Sequence, residues 1–204
     1  MFHFDRSGAQ YTPPIDIHED PHTFVRLILG VSSRDEGADI GFDPSVRWLI
    51  RNGRKVDGTL AVRKADNSEL LYPLLRLDPF FCRSRICGRS TTCWSVLHPE
   101  TGEELLLKSS WRSQDRPSEH IYLEEAVGVP GVVQMISCEP DRVQTKELRG
   151  FGDVAPPGFE NRIESRVVVK RYGPTVVNFA SPEEVLCALR DALAGKFHFR
   201  HAIT

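Results

Sequence analysis

Ile86-Cys87-Gly88-Arg89-Ser90-Thr91-Thr92-Cys93-Trp94-Ser95-Val96-Leu97, followed across Pro99-Glu100-Thr101-Gly102 by Leu105-Leu106-Leu107-Lys108, is the stretch that decides how this 204-residue chain reads. A strand ending at Ile86-Cys87-Gly88, a polar turn Arg89-Ser90-Thr91, a second strand to Leu97, a proline-glycine turn and a third strand ending in lysine predict three antiparallel strands. Downstream, Arg116-Pro117-Ser118-Glu119 opens a helix in which Ile121 or Tyr122, Ala126 and Val127 make one apolar face, stopped by Gly128. Val132 to Ile136 and Arg166 to Lys170 read as two more strands, separated by a polar connection containing Pro156-Pro157-Gly158. Ser181-Pro182-Glu183-Glu184 is a capping box with proline in the first turn, and Val185, Leu186, Leu189, Ala192 and Leu193 give its helix an apolar stripe, with Gly195 as the expected stop.

Upstream, Phe2-His3-Phe4 alternates like a strand and runs into the turn composition Asp5-Arg6-Ser7-Gly8. Asp20-Pro21 predicts an N-cap and first helical residue for a helix over about 21–30, with Phe24, Leu27 and Ile28 at helical spacing. Trp48–Ile50, Thr59–Arg63 and Leu70–Leu74 predict a small sheet punctuated by Asn52-Gly53 and Asp66-Asn67. The fold class is therefore α+β.

Composition narrows the function. Hydrophobic residues are 40% and charged residues 26%, as in ordinary globular domains. Twenty-six Lys and Arg against 28 Asp and Glu leave a net charge of −2, without the basic excess that phosphate-backbone binding needs, so no nucleic-acid partner is expected. The longest apolar runs, such as Phe24 to Gly30, fall short of the roughly 18 residues that span a bilayer, and no apolar leader follows Met1. The expectation is no membrane partner and a cytoplasmic or nuclear location. Five cysteines, an odd number, fit free thiols. Cys82, Cys87, Cys93 and His98 approximate a three-Cys one-His zinc pattern, but the last gap is one residue too long. Cys93 reads instead as a strand residue, and His198 and His201 as surface residues. No metal site is expected.

The order of elements and the words within them resemble the fungal-type protein kinase family. Gly88-Arg89-Ser90-Thr91 stands where that family has G-R-G-T, Leu107-Lys108-Ser109-Ser110-Trp111 where it has V-K-D-S-W, and Arg116-Pro117-Ser118-Glu119 where it has R-x-S-E. Asp5-Arg6-Ser7-Gly8, Asp16-Ile17-His18, Asn161-Arg162-Ile163, Arg171-Tyr172-Gly173 and Ala188-Leu189-Arg190-Asp191-Ala192 resemble it too. The resemblance implies a protein-kinase-like small lobe over 81–173, a family-specific N-terminal part over 1–80, and the first helix of a large lobe over 174–204. It also implies ATP and Mg as cofactors, and phosphoryl transfer to Ser or Thr hydroxyls of a protein whose identity the sequence does not disclose.

A nucleoside triphosphate needs backbone N–H groups near its phosphates and a fixed cation, and Gly88 followed twenty residues later by Lys108 supplies both. Gly88, Arg89, Ser90 and Lys108 are thus the expected phosphate-side residues. Glu119 is the expected partner of Lys108, with Glu124 or Glu125 as alternatives. Lys170 and Tyr172 belong to the hinge that would hold adenine. Taken singly, Gly88 is a hairpin glycine, Lys108 a snorkelling edge residue and Glu119 a first-turn residue favoured by the helix dipole; their joint order is what points to a site. Trp94 and Trp111 read as packing residues.

Departures from the family temper the activity. Ser90 replaces the second glycine, Leu106 puts a bulky side chain on the face of Lys108, and Lys170 replaces the usual hinge acid. Neither an H-R-D nor a D-F-G type word occurs in the 204 residues. The expectation is a piece of a kinase, truncated at both ends, inactive alone and binding nucleotide weakly or not at all. The alternative is a non-catalytic kinase-derived protein-interaction or weak nucleotide-binding module. On either reading the apolar 185–193 helix face is expected to allow self-association.

Overall fold

A computed structural model describes residues 2–32, 43–64, 66–83, 85–171, 173 and 178–202. In chain order these form β1 (Phe2–Asp5), β2 (Gly8–Tyr11), α1 (Pro21–Ser32), β3 (Val46–Arg51), β4 (Arg54–Arg63), β5 (Glu69–Pro73), β6 (Phe81–Cys82), β7 (Thr92–Leu97) and β8 (Glu104–Ser113). There follow α2 (Glu119–Glu125), β9 (Met135–Gln144), α3 (Thr145–Leu148), β10 (Arg162–Lys170) and α4 (Pro182–Ala202). The class is α+β: a five-stranded antiparallel sheet ordered β6-β7-β8-β10-β9, a three-stranded sheet β3-β4-β5, and the hairpin β1-β2.

Strand alternation divides the five-stranded sheet into two faces with different work. On one face Trp94, Val96, Leu105, Leu107 and Val168 pack against Leu60, Val62, Tyr72 and Leu74 of the three-stranded sheet, with Trp48 alongside. This core is shared across position 80. The sheets are stitched where Leu74 bridges Val96 and the Leu75 N–H donates to the Ser95 carbonyl at 2.9 Å. On the other face Leu123 of α2 packs against Val167 and Val169, with Leu106, Val133, Met135 and Cys138 around it.

Local chemistry explains most boundaries. Asn52 and Gly53 both have positive φ, 51° and 71°, as a two-residue hairpin turn matching strand twist requires. Asp20 Oδ1 accepts the Thr23 N–H at 3.1 Å and α1 begins at Pro21. At α4, Ser181 Oγ accepts the Glu184 N–H while the Glu184 carboxylate takes the Ala180 N–H, a capping box shifted by one residue.

Four expectations require correction. Residues 86–88 form a bend rather than a strand end, and β6 is only two residues long, because Ile86 and Cys87 are exposed and, among the described residues, none pairs with them across a ladder. In α2 the buried residue is Leu123, joined by Ala126 at the helix end, while Ile121, Tyr122 and, beyond the helix, Val127 are exposed. The helix turns that way because Glu119 and Leu123, four apart, share the face that meets the sheet. Residues 132–134 are irregular loop, with β9 starting at Met135 and running to Gln144, because Gln134 gathers the preceding loop around itself: its side-chain amide donates to the carbonyls of Ala126 and Val132 and accepts the Gly128 N–H. Gly195 does not end α4. The helix continues to Ala202, and Gly195 instead gives the Pro130-Gly131 backbone room to approach.

Candidate functional site

Register sets the site out in rows. Ser95, Leu106 and Val169 lie abreast on β7, β8 and β10, and two residues further on so do Cys93, Lys108 and Val167. The first row roofs a cavity of about 810 Å³, walled by Val132 and Val133 of the loop before β9, by Lys170 at the end of β10 and by Arg171 and Gly173 beyond it, with Asp191 and Ala194 of α4 below. Its walls are mainly apolar, with Lys170, Arg171 and Asp191 among the few polar residues, the make-up of a small-molecule site. Leu106 lines it, as the alternation with Lys108 predicts, and narrows it with a bulky side chain.

In the second row Lys108 Nζ lies 2.7 Å from Glu119 Oε1 and 2.6 Å from Oε2, so one ammonium meets both carboxylate oxygens. Both side chains keep partial contact with solvent, 29% and 41% exposed. Glu124 and Glu125, the alternative partners, are exposed. Beside the pair, Cys93 is buried; burial pushes its thiol up, with the Lys108 charge pulling the other way, which keeps the sulfur neutral.

The glycine loop lies abreast of the far end of β8, where the Trp111 N–H donates to the Arg89 carbonyl at 2.8 Å. Gly88 has φ +107° and Ser90 φ +37°, so the serine occupies a left-handed conformation that glycine would take without cost. Ser90 is buried and its hydroxyl donates to the Arg83 carbonyl. Cavity, lysine and glycine loop thus succeed one another along β8; from Leu106 to Trp111 that is roughly 16 Å at about 3.3 Å per residue.

Sequence reading brought Lys108 and Glu119 together with the right partner chosen. Gly88, Arg89 and Ser90 lie beside the site but do not line the cavity. Lys170 lines it, yet its ammonium is drawn toward Glu103 at 3.9 Å and its N–H is already given to the Gln134 carbonyl; Arg171 pairs with Glu104. Tyr172 lies outside the described residues. Sequence reading missed Ser95, Val133, Val169, Pro130, Gly131 and Asp191. Alternation with Cys93 and Val167 could have exposed Ser95 and Val169, but nothing local signals that the loop and α4 close the cavity.

The zinc-like word is scattered: Cys82 and Cys87 are exposed, Cys93 faces Lys108, and His98 Nδ1 accepts the N–H groups of Glu100 and Thr101 in its own turn. Among the described residues no three His, Cys, Asp or Glu side chains gather as a metal-ligand set, and no helix is long and apolar enough to cross a membrane.

No curated protein and no solved structure matches the chain. The family model described as "Fungal protein kinase" matches residues 1–147, which takes in the glycine loop, Lys108 and Glu119 and stops before β10 and α4. The chain belongs to the fungal protein kinase family.

Proposed function

We propose that the cavity, Lys108–Glu119 and the glycine loop form an ATP site, and that these residues are the nucleotide-binding part of a kinase that phosphorylates protein hydroxyls. The observation that carries this is the two-oxygen contact between Lys108 and Glu119, one row along the sheet from a mainly apolar cavity with ample room for a base. Leu106, Val133 and Val169 would flank the base by van der Waals contact. Lys108, held by Glu119, would present its ammonium to the phosphates. Magnesium, when bound, would shield the phosphate charge in such a kinase. Among the described residues no three His, Cys, Asp or Glu side chains gather to hold it.

The words that supply a catalytic base and metal-binding Asp in kinases are not among these 204 residues. The chain by itself is therefore expected to bind Mg-ATP weakly and to transfer no phosphate. Calorimetric titration tests the reading: Lys108→Met should weaken Mg-ATP binding at least tenfold with the thermal transition unchanged. Equal affinities in the two proteins would refute the site.

A second reading, a protein-interaction module, is favoured by α4, where Leu186, Leu189 and Leu193 are 65%, 55% and 58% exposed on one stripe.

A further inference from the structure

The word Asp5-Arg6-Ser7-Gly8 has no part in the site as described, yet each of its polar side chains is spent on a long-range contact. Asp5 takes two hydrogen bonds from the Arg149 guanidinium, at 2.6 and 2.8 Å, in an ion pair with both side chains under a tenth exposed. Ser7 Oγ lies 2.6 Å from Thr145 Oγ1 and from the Glu160 carbonyl. The β1-β2 turn is thereby fixed to α3 and to the residues entering β10. From that fixed base Arg6 Nη1 donates to the carbonyls of Arg85 and Ile86, at 2.8 and 3.1 Å, and the Gly88 N–H returns toward the Arg6 carbonyl at 3.4 Å.

The glycine loop needs such support. β6 pairs with β7 over only two positions, so the loop is not the tip of a long self-supporting hairpin. Carbonyl oxygens near a polyphosphate would repel it, and Arg6 draws two of them toward its own guanidinium. We infer that Arg6 is a positioning residue for the glycine loop, holding it in the shape that accepts the phosphates of a nucleotide. The inference rests on the proposed ATP site and adds to it a residue about eighty positions away in sequence that touches neither base nor lysine.

Binding of Mg-ATP and of adenosine to the 204-residue chain, with amide hydrogen exchange over 85–89, tests it. The unaltered chain should prefer Mg-ATP to adenosine. Arg6→Ala should lower Mg-ATP affinity about tenfold, leave adenosine affinity unchanged and speed exchange over 85–89. Arg6→Lys, which keeps a donor but loses the planar fork, should lose about threefold and decides the matter if the alanine variant does not fold. An unchanged ATP-to-adenosine ratio, an equal loss of both ligands, or tighter ATP binding would overturn the role of Arg6. An unaltered chain that binds both ligands equally would instead overturn the ATP site, and the exchange rates would then report separately whether Arg6 holds the loop.

Discussion

Asp43 faces two guanidinium groups, with Oδ2 2.5 Å from Arg166 Nη2 and Oδ1 2.6 Å from Arg142 Nη2. Burial opposes its ionisation, but Arg166, the Ser45 hydroxyl and Arg142 outweigh that and hold the carboxyl below its ordinary range. Arg166 is 1% exposed and also donates to the Ala61 carbonyl, so this cluster ties the two sheets together on the face away from the cavity. A carboxyl whose folded value is lowered contributes stability that is fully present above its unfolded value, about 3.9, and is lost as pH falls through the lower folded one. Asp43→Asn should cost about 1 to 3 kcal/mol at pH 7, the range for breaking a partly exposed partner of a buried charge. Urea unfolding at pH 7 and pH 3 should show the gap between the two proteins shrinking at the lower pH. A gap of the same size at both would contradict the assignment. Legibility at this scale depends on distance along the chain: Lys108 and Glu119 are eleven residues apart and follow a recognisable order of elements, whereas Asp43 and Arg166 are 123 apart, Arg6 and Ile86 80 apart, and no local pattern links either pair.

Elements were readable where a period of two or a cap marks them. The first half of β8 alternates buried Leu105 and Leu107 with half-buried Leu106 and Lys108, and Asn52-Gly53, Asp20-Pro21 and Ser181-Pro182 each do what their chemistry predicts. Gly195 escaped a local reading because its surroundings lie across the fold, where α4 and the Pro130-Gly131 backbone approach closely. A Cβ on Gly131, which has φ +77°, would come 2.4 Å from the Asp191 carbonyl oxygen, and one on Gly195 would come 3.1 Å from that of Pro130. Backbone on both sides leaves no flexible atom to yield. Gly131→Ala is therefore expected to push α4 away from the loop, costing about 1 to 3 kcal/mol and speeding hydrogen exchange over 182–195. Unchanged protection there would show that the close approach does not fix α4.

At the scale of the whole molecule, two faces of one sheet carry separate duties. The face toward β3-β4-β5 holds the larger apolar core and the Asp43 cluster, and the face toward α2 and α4 holds the cavity and Lys108. The family match covers the glycine loop, Lys108 and Glu119, so membership supports the phosphate side of the reading, while the base side stands on cavity geometry. Burying a leucine is worth about 1.5 to 3 kcal/mol, so the exposed stripe of α4 is expected to drive self-association at tens of micromolar. Sedimentation velocity should show oligomers that Leu186→Lys with Leu189→Lys returns to monomer; a monomer before substitution would contradict this.

Nucleotide binding on the Lys108 face of the sheet is open to a direct test by backbone amide NMR during titration with Mg-ATP. Saturable shifts are expected at Leu106, Lys108, Val133, Val169 and Arg171, with the amides of β3, β4 and β5 little moved. Shifts confined to β3, β4 and β5, or none at millimolar nucleotide, would contradict it.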